Sequence, residues 1–76
     1  MEKEIEIVNK NIKEIMDINP EEYDKDLNLK DISEWDSFNN LMLISKLQED
    51  LNVEFSTTEI ENIECINDLY NLVRKK

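Results

Sequence analysis

The chain has no glycine and no histidine, and it has only one cysteine, one proline and one tryptophan in 76 residues. Each gap removes a class of chemistry. Without histidine, a serine has no ordinary partner to take its proton, so a self-sufficient serine nucleophile of the usual hydrolase kind is excluded. Without glycine there is neither a phosphate-cradling loop nor the sharp turn that exposes a hydrolase nucleophile. The single thiol, Cys65, cannot form an internal disulfide, and with no second thiol and no imidazole a tight zinc site is not expected. Basic residues are scarce, 9 against 19 acidic ones, giving a formal net charge of −10. Phosphate backbones and anionic membranes therefore repel this chain, and nucleic acid and membrane are excluded as partners; basic protein surfaces are favoured. The acidic, periodic N-terminal stretch MEKEIEIVNKNIKEI is no secretory signal, and no apolar run approaches the length needed to cross a bilayer. A reducing, cytoplasmic location is expected.

What remains is apolar patterning. Residues 1–76 have room for one domain, which buries roughly 60% of the surface its unfolded chain exposes, so the core is small. Ile5, Val8, Ile12, Ile15 and Met16 recur at steps of three and four, predicting a first helix from about residue 3 to about residue 17, with Glu2, Glu4 and Glu6 near its positive end. Pro20 disfavours helical geometry at Asn19 and stops it. Asn19, Pro20 and Glu22 then resemble an N-cap, first-turn proline and capping acid, predicting one further helical turn. A long connection follows, with Leu27, Leu29, Ile32 and Trp35 pinning it to the core.

After Ser37, Phe38, Leu41, Ile44, Leu47 and Leu51 are read as one buried face, with Leu43 at its edge, in a second helix that Asn52 ends in a left-handed cap. With glycine absent, asparagine is expected at such positions. Val53 and Phe55 read as extended anchors. Ser56 and Glu59 form a capping box for a short third helix, and Ile66, Leu69, Tyr70 and Val73 mark a fourth, whose negative end suits Arg74, Lys75 and Lys76. No segment alternates with period two, so strands are not expected. The expected fold is all-α.

The stretch EWDSF places Ser37 where the second helix begins. A serine there can cap the helix by accepting a hydrogen bond from a first-turn amide. It can also be a point of covalent attachment. Paired carboxylates such as Glu21/Glu22 and Glu49/Asp50 read as solvated helix faces, since so small a bundle has no enclosed site to separate their pKa values.

EWDSF followed by NNLMLISKLQEDLNVEF resembles the acyl and peptidyl carrier proteins, in which an Asp-Ser-apolar triplet opens the second helix; here that triplet is Asp36-Ser37-Phe38. Upstream INPEEYDKDLNLKDI resembles the family's long first loop, and LQEDLNVEFSTTEIENIECINDL resembles the end of the second helix, the short third and the start of the fourth. The resemblance implies a four-helix bundle of acyl-carrier-protein type, with three longer helices, one short third helix and a long first loop. It implies a non-catalytic, free-standing, monomeric carrier with a 4′-phosphopantetheine arm, donated by coenzyme A, on Ser37. Asp36 is implied to engage the transferase and its metal ion. The implied partners are a phosphopantetheinyl transferase, an acyl- or aminoacyl-loading ligase, and downstream synthase or transferase enzymes. Cargo would travel as a thioester on the arm's thiol, not on Cys65.

Trp35, Phe38, Asn39 and Met42 flank that serine as candidate partner contacts, although large apolar residues beside a helix start, Trp35 and Phe38, are read first as packing. The family often has acids where this chain has Asn39 and Met42, and Lys46 dilutes that face further, which favours a specialised biosynthetic pathway over general fatty-acid synthesis. Cys65 stands where many relatives have a threonine cap and is read as a small buried side chain. Two other classes fit the composition: an acidic helical adaptor that binds a basic protein without modification, and a structural oligomer burying Met42 and Trp35.

Overall fold

In the computed structural model, which describes residues 2–76, the first apolar period winds into helix α1, Lys3–Met16. Val8, Ile12 and Met16 are buried, while Ile5 and Ile15 are half-buried beside them. The chain leaves α1 through Asp17 in the left-handed conformation, φ 55°, with its amide donating to the Lys13 carbonyl at 3.0 Å. Asparagine was the residue expected at such a place. Asp serves equally, because its short polar side chain tolerates this region better than other residues do.

The connection to the second long helix contains two single 3₁₀ turns, Pro20–Glu22 and Leu29–Asp31, capped by the side chains of Asn19 and Asn28. Leu29, Ile32 and Trp35 are buried and Leu27 is half-buried, so this long segment is anchored along its length as its apolar residues predicted. Backbone bonds tie it to residues 64 and 67. The amide of Leu29 donates to the Glu64 carbonyl at 2.9 Å, and that of Asn67 to the Lys25 carbonyl at 3.0 Å.

Helix α2, Ser37–Leu51, ends at Asn52 with φ 55°, as read from the sequence. Helix α3, Thr57–Glu61, carries the complete capping box: Ser56 Oγ accepts from the Glu59 amide at 3.1 Å and the Glu59 carboxylate accepts from the Ser56 amide at 2.8 Å. Helix α4, Ile66–Lys75, buries Ile66, Leu69, Tyr70, Leu72 and Val73. Among the described residues there is no strand, and the fold is an all-α four-helix bundle. Helix α1 packs against both α2 and α4, and one continuous apolar core joins them with Phe55 and the long connection. The radius of gyration, 11.2 Å, matches the roughly 11 Å of a compact chain of this length.

The buried face of α2 differs from the expected one. Leu43, Ile44 and Leu47 are buried, whereas Phe38 and Leu41 are 69% and 62% exposed. Three residues advance an α-helix by about 300°, so the successive three-residue steps from Phe38 to Leu47 each fall about 60° short of a full turn. Three such steps rotate the stripe by about 180°. Leu47 therefore faces α1 and Phe38 faces solvent.

One buried polar side chain was not anticipated. Asn11, 1% exposed, lies in α1 and donates through Nδ2 to Asp50 Oδ2 at 3.0 Å, tying α1 to the end of α2. This bond, helped by Lys46 at 3.4 Å, holds the Asp50 carboxyl below its ordinary value. A carboxylate with a lowered folded-state pKa stabilises the fold above its unfolded value, near 3.8, and that contribution fades as pH falls through the folded value. Asp50→Asn keeps an acceptor for Asn11 and loses the charge. The difference in thermal midpoint between wild type and Asp50→Asn is expected to be full at pH 6 and to close below pH about 4. A difference that stays constant down to pH 2 would rule the charge out as its origin.

Candidate functional site

The start of α2 is built by the last residues of the long connection. Ile32 turns the chain by accepting the Trp35 amide at 3.0 Å, and the Trp35 indole enters the core, only 7% exposed. Asp36 then takes extended backbone geometry and its Oδ1 accepts the Asn39 amide at 2.8 Å, while its carbonyl accepts the Asn40 amide at 2.9 Å. Asp36 is thus the N-cap. Ser37 is the first helical residue, and it is exposed.

This corrects the reading of Ser37 as a cap. Aspartate caps at least as well as serine, and a carboxylate also suits the positive end of a helix, so the neighbour takes the task. The hydroxyl of Ser37 is thereby spared a structural role. It stands on a fifteen-residue helix whose first two amides, those of Ser37 and Phe38, have no intrahelical acceptor. Beside it runs a shallow groove of about 170 Å³ lined by Leu29, Lys30, Trp35, Asp36, Ser37, Asn40 and Ile63.

The remaining candidates separate into two sets. Trp35 is in the core, consistent with the packing reading, and is not an exposed contact; its Nε1 donates to Asn40 Oδ1 at 2.9 Å. Asn39 is half-buried, and its Nδ2 donates to the Glu34 carbonyl at 2.9 Å, so its side chain is tied to the loop. Phe38 reverses the packing reading and projects outward. With Leu41, Met42 and Ser45 it lines a second groove of about 370 Å³, bordered by Lys46 and Glu49. Met42 is 39% exposed and sits on this outer face.

Sequence reasoning missed Lys30, Leu41, Asn40 and Ile63 at this site. One signal was available. No charged residue occurs from Ser37 to Ser45 in a chain that is 37% charged, which marks the outer face of α2 as unlike the rest of the surface. Asn40 lies one turn before Leu43 and Ile44 and two before Leu47, in line with a seam that only the structure shows to be buried. A polar residue at a core position needs a hydrogen-bond partner.

Cys65 is the N-cap residue of α4, but its thiol makes no cap hydrogen bond and it is half-buried, not buried. Asp68 does the local work instead, accepting the Glu64 amide at 3.0 Å. Among the described residues, no group of three or more His, Cys, Asp and Glu side chains could hold a metal ion, and no helix is long and apolar enough to cross a membrane. A family model described as "phosphopantetheine attachment site" matches residues 6–73. No curated protein matches the chain.

Proposed function

The chain belongs to the phosphopantetheine attachment-site family, and on that premise we propose that Ser37 is the residue that carries the group. The cofactor is 4′-phosphopantetheine, bound covalently. The observation that supports Ser37 is the division of labour at the start of α2: Asp36 caps the helix, and the exposed Ser37 hydroxyl stands beside it on the first turn.

The residues around Ser37 fit such a group. The unpaired first-turn amides of Ser37 and Phe38 and the positive end of α2 suit a phosphodiester anion, and Lys30 lines the same groove. Leu29 and Ile63 offer apolar contact to the chain beyond it. When bound, the arm supplies a thiol that holds acyl or aminoacyl groups as thioesters.

Attachment balances without a base on this chain. The Ser37 Oγ–phosphorus bond forms as the pyrophosphate P–O bond of coenzyme A breaks, and adenosine 3′,5′-bisphosphate leaves. The hydroxyl proton passes to a base of the transferase, so the lack of histidine is no obstacle. Asp36 engages the transferase and its metal ion while its other oxygen keeps the cap.

In this reading residues 1–76 are one carrier domain, monomeric, cytoplasmic and without catalysis of its own. It receives its arm from a phosphopantetheinyl transferase, its cargo from an acyl- or aminoacyl-loading ligase, and presents it to downstream synthases or transferases. Phe38, Leu41 and Met42 form the docking face beside the arm, where a few apolar anchors provide most of the contact energy. The acids elsewhere speed encounter with basic partners. An uncharged docking face fits enzymes of a specialised pathway.

The test is direct. Apo protein incubated with coenzyme A, magnesium and a broad-specificity phosphopantetheinyl transferase is expected to gain one phosphopantetheinyl unit by intact mass. No gain would refute the carrier reading and leave the unmodified acidic adaptor in its place.

A further inference from the structure

We propose that Asn39 and Asn40 are positioning residues for arm attachment, clasping the loop before α2 so that the Ser37 hydroxyl is held in one direction. The proposal rests on the reading of Ser37 as the attachment residue. Its basis is a closed ring of hydrogen bonds around that serine.

Both side chains reach backwards past the cap. Asn39 Nδ2 donates to the Glu34 carbonyl at 2.9 Å, and Asn40 Oδ1 accepts from Trp35 Nε1 at 2.9 Å. Their backbone amides both go to Asp36, one to its carboxylate at 2.8 Å and one to its carbonyl at 2.9 Å. Residues 34–36 are thus tied to residues 39 and 40 by four bonds, and Ser37 and Phe38 are the two residues enclosed. Trp35 carries the ring into the core, being buried and joined to Ile32.

Two neighbouring asparagines are poor choices for the first turn of a helix on propensity alone. Asn40 is less expected still, because it lies on the core-facing seam where an apolar side chain would pack. Its place is explained by the indole N–H, which burial would otherwise leave unsatisfied. A Phe at 35 with an apolar residue at 40 would pack the same seam with no bond between loop and helix. What the polar pair adds is a fixed angle at which the chain enters α2.

That angle matters for phosphoryl transfer, because the attacking oxygen must approach phosphorus in line with the leaving oxygen. Misplacement of a reacting group by about 1 Å can cost about 100-fold in rate. Neither asparagine is required to touch coenzyme A, and both act through the orientation of Ser37.

Transfer from coenzyme A by a broad-specificity transferase, followed against carrier concentration, separates this role from docking. Asn40→Ala is expected to lower kcat about tenfold with KM within about twofold, while Asn40→Asp, which keeps the acceptor oxygen, returns kcat to within about twofold of wild type. Asn39→Ala keeps the backbone cap, loses the Glu34 bond, and falls in the same direction. Circular dichroism checks that each variant is folded. Should Asn40→Ala unfold, Trp35→Phe tests the same bond from its other end, and a lowered kcat there supports the proposal.

Wild-type kcat in Asn40→Ala or in folded Trp35→Phe would overturn it. So would an Asn40→Asp as slow as Asn40→Ala, or a loss carried wholly by KM. A wild type that takes no group at all overturns the Ser37 reading itself, and with it this inference.

Discussion

Ser37→Ala is expected to gain no mass after incubation with coenzyme A, magnesium and transferase, whereas Ser33→Ala, Ser45→Ala and Ser56→Ala each gain one phosphopantetheinyl unit as the wild type does. The effect is all-or-none because only one hydroxyl meets both requirements, exposure and freedom from structural duty at the start of a long helix. Ser33 donates to the Glu34 carboxylate at 2.9 Å in the loop, and Ser45 lies two turns along α2, past the free amides. Ser56 also stands at a helix start, but its Oγ is engaged in the capping box of a five-residue helix. Removing that hydroxyl should cost stability, about 1 kcal/mol for a lost cap, and leave modification intact. Modification of Ser37→Ala at the wild-type level would place the attachment point on another side chain and overturn the assignment of Ser37.

Leu47→Ala is expected to destabilise the fold by about 2–5 kcal/mol, because the side chain is fully buried and its loss leaves a cavity between α2 and α1. A domain of this size has only about 4–11 kcal/mol in total. The variant should therefore show a sharply lowered urea midpoint and, at the upper end of the range, little folded protein at 37 °C. Leu41→Ala changes the same residue type on the same helix two turns earlier, at a position 62% exposed. Its cost should stay within about 0.5 kcal/mol. Comparable losses at both positions would contradict the assignment of the buried seam, and with it the exposure of the face that carries Phe38, Leu41 and Met42.

The partition between these two leucines shows where sequence reasoning reached its limit. Apolar residues at steps of three and four identify α2 as a helix without ambiguity, yet the steps alone allow more than one stripe. Counting from Phe38 drifts across the helix surface and selects residues on opposite sides. Which stripe is buried was decided by α1 and the long connection, through contacts no local pattern contains.

Local chemistry, by contrast, was legible. The composition excluded histidine-dependent catalysis and internal disulfides. The first helix stopped near residue 17 as read, at a left-handed Asp17 ahead of Pro20, Ser56 and Glu59 formed the box their spacing predicts, and Asn52 took the left-handed turn in a chain with no glycine. These features depend on backbone preferences and on side chains that bond within a few residues of themselves, so a short window of sequence determines them. The Asp-Ser-Phe triplet also carried the resemblance that the family match bears out.

Only tertiary structure decided what Asp36, Ser37, Asn39 and Asn40 do individually. Serine and aspartate both cap helices, and the chain could have used either; the entry of Trp35 into the core set the turn so that Asp36 met the free amide and Ser37 turned outward. Asn39 and Asn40 look like solvent-facing polar residues until the Glu34 carbonyl and the buried indole are placed beside them. Their partners lie only five residues away along the chain, but the bonds exist because the long connection is pinned at Leu29, Ile32 and Trp35, and that pinning depends on the whole core.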